Sequence, residues 1–149
     1  MAVPYVAVVG AGGDVAPELL AVAGAVGGEL ARRGAVVVTG GLGGVMEAAC
    51  RGAHGAGGMT LGILPGADRA AANAFVSVAV ATGMGELRNG LVVRSADALV
   101  AIAGGTGTLS EIALALKAGK PVAGIGTWEI AGVTRAADAV AAVAIVLGD

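Results

Sequence analysis

Apolar residues in this chain fall into short, nearly unbroken runs at residues 5–9, 35–39, 60–64, 75–80, 98–103 and 121–125. Most of these runs are closed at once by Gly or Pro, as at Gly10, Gly40, Pro65, Gly104 and Gly126. Runs of this length that do not alternate with polar residues predict strands buried on both faces. A different spacing stands between them. After Pro17, the residues Leu19, Val22, Ala23, Val26 and Leu30 recur at helical intervals, leaving Glu18, Glu29, Arg32 and Arg33 to face water. Gly34 ends that helix. Further helices are predicted through residue 56, over 86–95, and through about 118 with Gly119 as the stop. Residues 67–74 read as a loop and 138–147 as a C-terminal helix, although the Val and Ile content of the latter also allows a strand.

Strands alternating with helices predict one α/β unit over residues 1–149, a doubly wound Rossmann-like domain with a mainly parallel sheet. In such a fold ligands bind at the carboxyl ends of the strands. No linker or composition shift divides the chain.

Composition narrows the function. With 56% hydrophobic residues and a net charge of −2, disorder is excluded. The single Cys50 rules out a disulfide framework and fits a reducing cytoplasm. Charged residues make up 13% and leave no basic stripe for duplex nucleic acid. The 2% of aromatics, Tyr5, Phe75 and Trp128, offer no stacking platform for single strands. The uncharged stretch at residues 70–85 is interrupted by Asn73, Ser77 and Thr82 and is too short to cross a membrane. The expected partner is therefore a small molecule. Gly is abundant, with 28 residues, and its placement carries the chemistry.

Two glycine loops match. Gly40-Gly41-Leu42-Gly43-Gly44-Val45-Met46-Glu47 follows one predicted strand, and Gly104-Gly105-Thr106-Gly107-Thr108-Leu109-Ser110-Glu111 follows another. Both read G-G-x-G-x-x-x-E. A loop of this kind can turn backbone N–H groups toward an anion, with the following helix adding partial positive charge. A third loop, with Gly10 and Gly12, closes the first strand. Thr108-x-x-Glu111 also fits a capping box, in which Thr caps the helix and Glu returns to its N–H.

Other phosphate motifs are absent. Gly119-Lys120 runs into Pro121 rather than a P-loop Ser or Thr. Val15 stands where a dinucleotide fingerprint needs its third Gly, and Thr39-Gly40 replaces the ribose-binding acid. His54 is the only His, reads as a surface residue, and leaves no metal cluster or Ser-His-Asp triad. Cys50 reads as a small buried hydrophobe. Arg94 is expected to be solvated and to pair with Asp97, whereas Arg88 follows a glycine-flanked loop and is the better site candidate.

The second glycine loop resembles the G-G-x-G-T-x-x-E signature of the LOG-like ("lonely guy") family, cytokinin-activating nucleoside-monophosphate phosphoribohydrolases whose relatives were long labelled "possible lysine decarboxylase". The loop at residues 40–47 is similar to the family's first glycine loop, and the likeness spans about residues 6–122. It is greatest to a short bacterial branch of nucleotide-binding proteins that also resembles molybdenum-cofactor carriers. Two positions depart from the pattern: Ala103 stands for a family Pro, and Asn89 for the Lys that follows the catalytic Arg.

The resemblance implies that Arg88 and Glu111 are catalytic. It implies that Gly104, Gly105, Thr106, Gly107 and Thr108 hold a 5′-phosphate, with Gly40, Gly41, Gly43, Gly44, Glu47, Gly10 and Gly12 completing the nucleotide site. The implied activity is cleavage of the N-glycosidic bond of a nucleoside monophosphate without metal or cofactor. The alternative is a non-catalytic carrier or sensor of a nucleotide or molybdopterin-type cofactor. Family members commonly form dimers, and residues 113–118 offer an apolar, small-residue helix face. A pyridoxal-dependent decarboxylase is not supported, since neither Lys117 nor Lys120 lies in a Schiff-base motif.

Overall fold

The structure is a computed structural model that describes residues 2–148. Its strands are β1 (Tyr5–Gly10), β2 (Val36–Thr39), β3 (Thr60–Leu64), β4 (Val78–Ala81), β5 (Ala98–Ile102), β6 (Val122–Ile125) and β7 (Val133–Arg135). The helices are α1 (Pro17–Arg32), α2 (Val45–Gly55), α3 (Arg88–Ser95), α4 (Thr106–Lys117) and α5 (Ala139–Leu147). All strand pairs are parallel, and the sheet order is β4-β3-β2-β1-β5-β6-β7. The chain thus winds outward from β1 to β4, then returns to the other side of β1 at β5. The carboxyl ends of β1 and β5 diverge there, which opens the crevice where such folds bind ligands.

Alternate residues of the central strands fill two cores. Val6, Val8, Val100 and Ile102 pack with α1, α2 and α5 on one face. Ala7, Val9, Leu99 and Ala101 pack with α3 and α4 on the other. Burial on both faces is why these strands are apolar at consecutive positions.

Several boundaries differ from the sequence expectation. The strand expected at 75–80 is β4, displaced to Val78–Ala81, because the Thr60 hydroxyl takes the Phe75 carbonyl at 2.6 Å and holds that residue outside the ladder. β7 was not expected; it is a three-residue edge strand with a polar sequence and no apolar run to announce it. The helix expected from residue 86 begins as a short 3-10 turn, Gly85–Leu87, and becomes α-helical at Arg88. Residues 139–147 are helical, with the Asp138 side chain accepting from Ala141 N–H at 2.9 Å as N-cap. The Asp97 carboxylate accepts the Tyr5 backbone N–H at 2.9 Å, in place of the expected pairing with Arg94. No helix of the described residues is long and apolar enough to cross a membrane.

The seam between α1 and α2 has almost no side chains in it. A Cβ added to Gly27 would stand 2.0 Å from the Ala49 carbonyl oxygen, and one on Gly52 would stand 2.0 Å from that of Gly24. Gly24 itself has room, since its added Cβ would meet Ala48 O at 3.6 Å. Helix propensity favours Ala over Gly by about 1 kcal/mol, but forcing backbone apart costs about 1–3 kcal/mol. Gly24→Ala is therefore expected to raise the urea midpoint and Gly27→Ala to lower it. Equal shifts for the two would mean that the seam is looser than described.

Candidate functional site

The crevice at the carboxyl ends of β1 and β5 holds a cavity of about 280 Å³. Its walls bring together Gly10 and Gly12 from the β1–α1 loop, Gly40 and Met46 from the β2–α2 segment, Arg88 and Asn89 from α3, and Gly105, Gly107, Thr108 and Glu111 from α4. Three loops and three helices, distant in sequence, meet because the sheet order places β1 between β2 and β5.

The α4 side leaves backbone donors uncapped. Gly104 takes φ +93°, and a Cβ there would stand 2.2 Å from the Thr108 hydroxyl oxygen, so only Gly lets the loop fold under Thr108. Gly105 is the N-cap and supplies no side-chain cap, so the first-turn N–H groups lack intrahelical partners. The space beside Gly105 is open. Thr106 begins the helix and is exposed, whereas Thr108 lies within the first turn and is buried.

The expected capping box is not formed. The helix starts two residues before Thr108, which places Thr108 and Glu111 inside it. Glu111 turns instead into the cavity, only 8% exposed. Burial raises its carboxyl to about 7, and the nearby Arg88 guanidinium only partly offsets this. Arg88 is in turn lowered from its ordinary value by burial, with Glu111 acting in the opposite direction.

Arg88 is held rigidly. Its Nε donates to Ile63 O at 2.9 Å, Nη2 donates to Gly40 O at 3.4 Å, and Nη1 donates to the Asn89 side-chain oxygen. A Cβ on Gly40 would approach Nη2 to 2.5 Å. Gly40 therefore makes room for the arginine.

Of the remaining residues of the first glycine loop, Gly41 and Gly44 are confined by packing. A Cβ on Gly41, at φ +79°, would meet Leu64 at 2.7 Å, and one on Gly44, at φ +66°, would meet Ala11 O at 2.4 Å. Gly43 faces open space, and none of these three lines the cavity. Glu47 is exposed and lines a separate cleft with Arg51 and Phe75. The two glutamates share an offset in sequence but not an environment. α2 begins at Val45 and holds Glu47 in its first turn, whereas α4 begins earlier in the matching motif, at Thr106, and carries Glu111 beyond its first turn.

Ala103 has φ +46° and is the one non-Gly residue with positive φ among the described residues. Proline cannot reach this value, so this corner could not hold the Pro of the resembling family. Its carbonyl accepts the Thr127 hydroxyl at 2.6 Å, and its N–H donates to Ile125 O at 3.0 Å. Backbone strain of this kind costs about 1–3 kcal/mol.

Met46 and Asn89 line the cavity although sequence reasoning gave them no part in binding. Met46 carries no signal in a single sequence, while Asn89, adjoining Arg88, was noticeable only as a departure from the family pattern. His54 is exposed with its ring 6.0 Å from that of Phe75, and Cys50 is buried beside the Thr39 hydroxyl. Neither lies in the cavity.

With this geometry in place, comparison with known proteins is direct. The sequence model of the SLOG cluster4 family matches residues 3–147. The chain belongs to that family. It is similar, at 45% identity over 125 residues, to an uncharacterized protein of Archaeoglobus fulgidus, a match spanning 84% of this chain and 82% of the other. Among solved structures it resembles the molybdenum cofactor binding protein of Rippkaea orientalis, with TM-score 0.93 and 35% identity over 99% of this chain and 98% of that one. It also resembles the molybdenum cofactor carrier protein MCP of Chlamydomonas reinhardtii, with TM-score 0.90 and 37% identity over 99% and 98% of the two chains. The SLOG family assignment agrees with the LOG-like resemblance and the structural likenesses with its carrier branch; all fit the Rossmann-like fold.

Proposed function

We propose that this protein binds and carries a phosphorylated small molecule, a molybdopterin-type cofactor in the first instance, with the phosphate at the start of α4. The observation that carries the reading is the uncapped first turn of α4 at Gly105, opening into a cavity that also presents Arg88. Unpartnered N–H groups and a helix N-terminus favour an anion, and a guanidinium adds a charge-assisted donor. The likeness to the carriers from Rippkaea orientalis and Chlamydomonas reinhardtii covers nearly the whole chain and supports the same choice. Carriage needs only the cradle; no bond has to break.

One observation favours the phosphoribohydrolase reading. Glu111 sits in the same cavity with its carboxyl at about 7, a value at which it can take a proton from water attacking the anomeric carbon as the base departs. The test is to incubate the protein with AMP and, separately, with molybdenum cofactor released from a molybdoenzyme. The expected result is retention of the cofactor through gel filtration, read by the fluorescence of its oxidised pterin, with AMP left intact. Free adenine that disappears in Glu111→Gln, together with no retention of the cofactor, would make hydrolysis the function.

A further inference from the structure

Beside the α4 cavity lies a larger cleft that the reading above leaves unused. After β6 the chain turns through Gly126, Thr127 and Trp128, and this turn together with Glu129, Ile130 and Arg135 lines an open space of about 620 Å³. Trp128 is the only Trp in the chain and is 39% exposed. Its indole N–H donates to the Gly105 carbonyl at 3.1 Å. Gly105 is both the N-cap of α4 and part of the cavity wall. The preceding side chain, Thr127, is tied to the Ala103 carbonyl. Two consecutive residues thus fasten this turn to both ends of the Gly104-Gly105 corner, and Trp128, a wall of the cleft, touches Gly105, a wall of the cavity.

Size and chemistry divide between the two spaces. The cavity of about 280 Å³ falls just below the usual range of small-molecule sites, about 300–1,000 Å³, whereas the cleft lies well within it. The cavity offers amides and charge, and the cleft offers an aromatic surface. The indole N–H of Trp128 is already satisfied by protein, so what Trp128 can still offer a ligand is its π surface. Arg135 and Glu129 pair with each other at the rim, both largely exposed, and provide a donor and an acceptor for the polar edge of a ring.

We propose that the Trp128 cleft is a ring subsite, taking the fused heteroaromatic ring of a ligand whose phosphate lies at the start of α4. The ligand class is a phosphorylated purine or pterin. This rests on the anion reading above and deepens it. It places the ring across Gly105 from Gly10, Gly12 and the loop at residues 40–47, the side on which the resemblance completes the nucleotide site.

Because Trp128 is the sole tryptophan, the test reads it directly. GMP, neopterin monophosphate and ribose 5-phosphate are titrated against the protein, following tryptophan emission and binding heat. The expected result is that ribose 5-phosphate binds with little change in emission, while one or both ring-bearing probes compete with it and alter the emission. Which of the two binds more tightly distinguishes purine from pterin. Trp128→Ala is expected to weaken the ring-bearing probe about tenfold more than ribose 5-phosphate, in line with aromatic stacking. Trp128→Phe keeps a ring without the indole N–H and is expected to restore most of the affinity. Equal loss for all three probes in Trp128→Ala would show that the residue only braces the loop and overturns the subsite. Unchanged affinity for the ring-bearing probes in that variant overturns it while leaving the anion site standing. Failure of ribose 5-phosphate and both ring-bearing probes to bind the native protein would remove the anion reading and the subsite with it.

Discussion

Replacing Glu111 with Gln is expected to abolish a loss of stability of about 3 kcal/mol that the native chain undergoes as pH rises from 4.5 to 7. The sign follows from proton binding. The folded state holds the Glu111 proton up to about pH 7, mainly because burial penalises the carboxylate, while the unfolded chain releases it near 4.5. Between those values the folded state binds more protons, so stability is greatest below the lower value and falls until the upper one is passed. Gln keeps the shape and the neutral charge. Urea unfolding from pH 4 to 9 should give a falling curve for the native chain and a flatter one for Glu111→Gln, with the variant more stable at the alkaline end. Parallel curves would mean that Glu111 is well solvated. The same titration bears on ligands: a fully ionised probe such as sulfate should bind less tightly as the carboxylate forms, and that dependence should vanish in the variant.

Arg88→Ala carries the second large effect. Loss of a charge-assisted donor costs about 1.5–3 kcal/mol, so affinity for sulfate or ribose 5-phosphate should fall roughly ten- to a hundredfold, measured by calorimetry at pH 6. The variant also removes the one charge that favours the Glu111 carboxylate, so the pH at which Glu111 ionises should rise further. Gly40→Ala should reproduce part of this from a distance, because its methyl would stand where the guanidinium lies. Combining the two changes should add little to Arg88→Ala alone, since both act through one side chain. Full additivity would separate Gly40 from the arginine.

The comparison of sequence with structure has a physical pattern. β1, β5 and β6 were legible because central strands of a parallel sheet are apolar on both faces. α1 was legible from Pro17 and from the spacing of Val26 and Leu30. β7 was not, since three residues at a sheet edge leave no periodicity. Gly105, Gly107 and Glu111, which line the cavity, stood out in the sequence because glycines and an acid recur there at fixed offsets after a strand. The duplicated glycine pattern was legible as well, but not the different use of its two copies. That difference comes from where each helix begins, at Val45 in α2 and at Thr106 in α4, a boundary that the shared glycine pattern does not mark. Arg88 could be nominated from the glycine-flanked loop before it and from resemblance, but its partners could not, because Ile63 and Gly40 lie 25 and 48 residues away.

The seam between α1 and α2, where Gly27 meets Ala49 and Gly52 meets Gly24 through backbone atoms, bears on how the protein can change shape. Side-chain interfaces have alternative rotamers and can slip between packings, but a seam made of main chain has no rotamers to exchange. α1 and α2 are therefore coupled as one plate behind the sheet. Rotamers remain to exchange on the opposite side, where Val92 and Val93 of α3 and Ile112 of α4 share one core and the two helices carry Arg88 and Glu111.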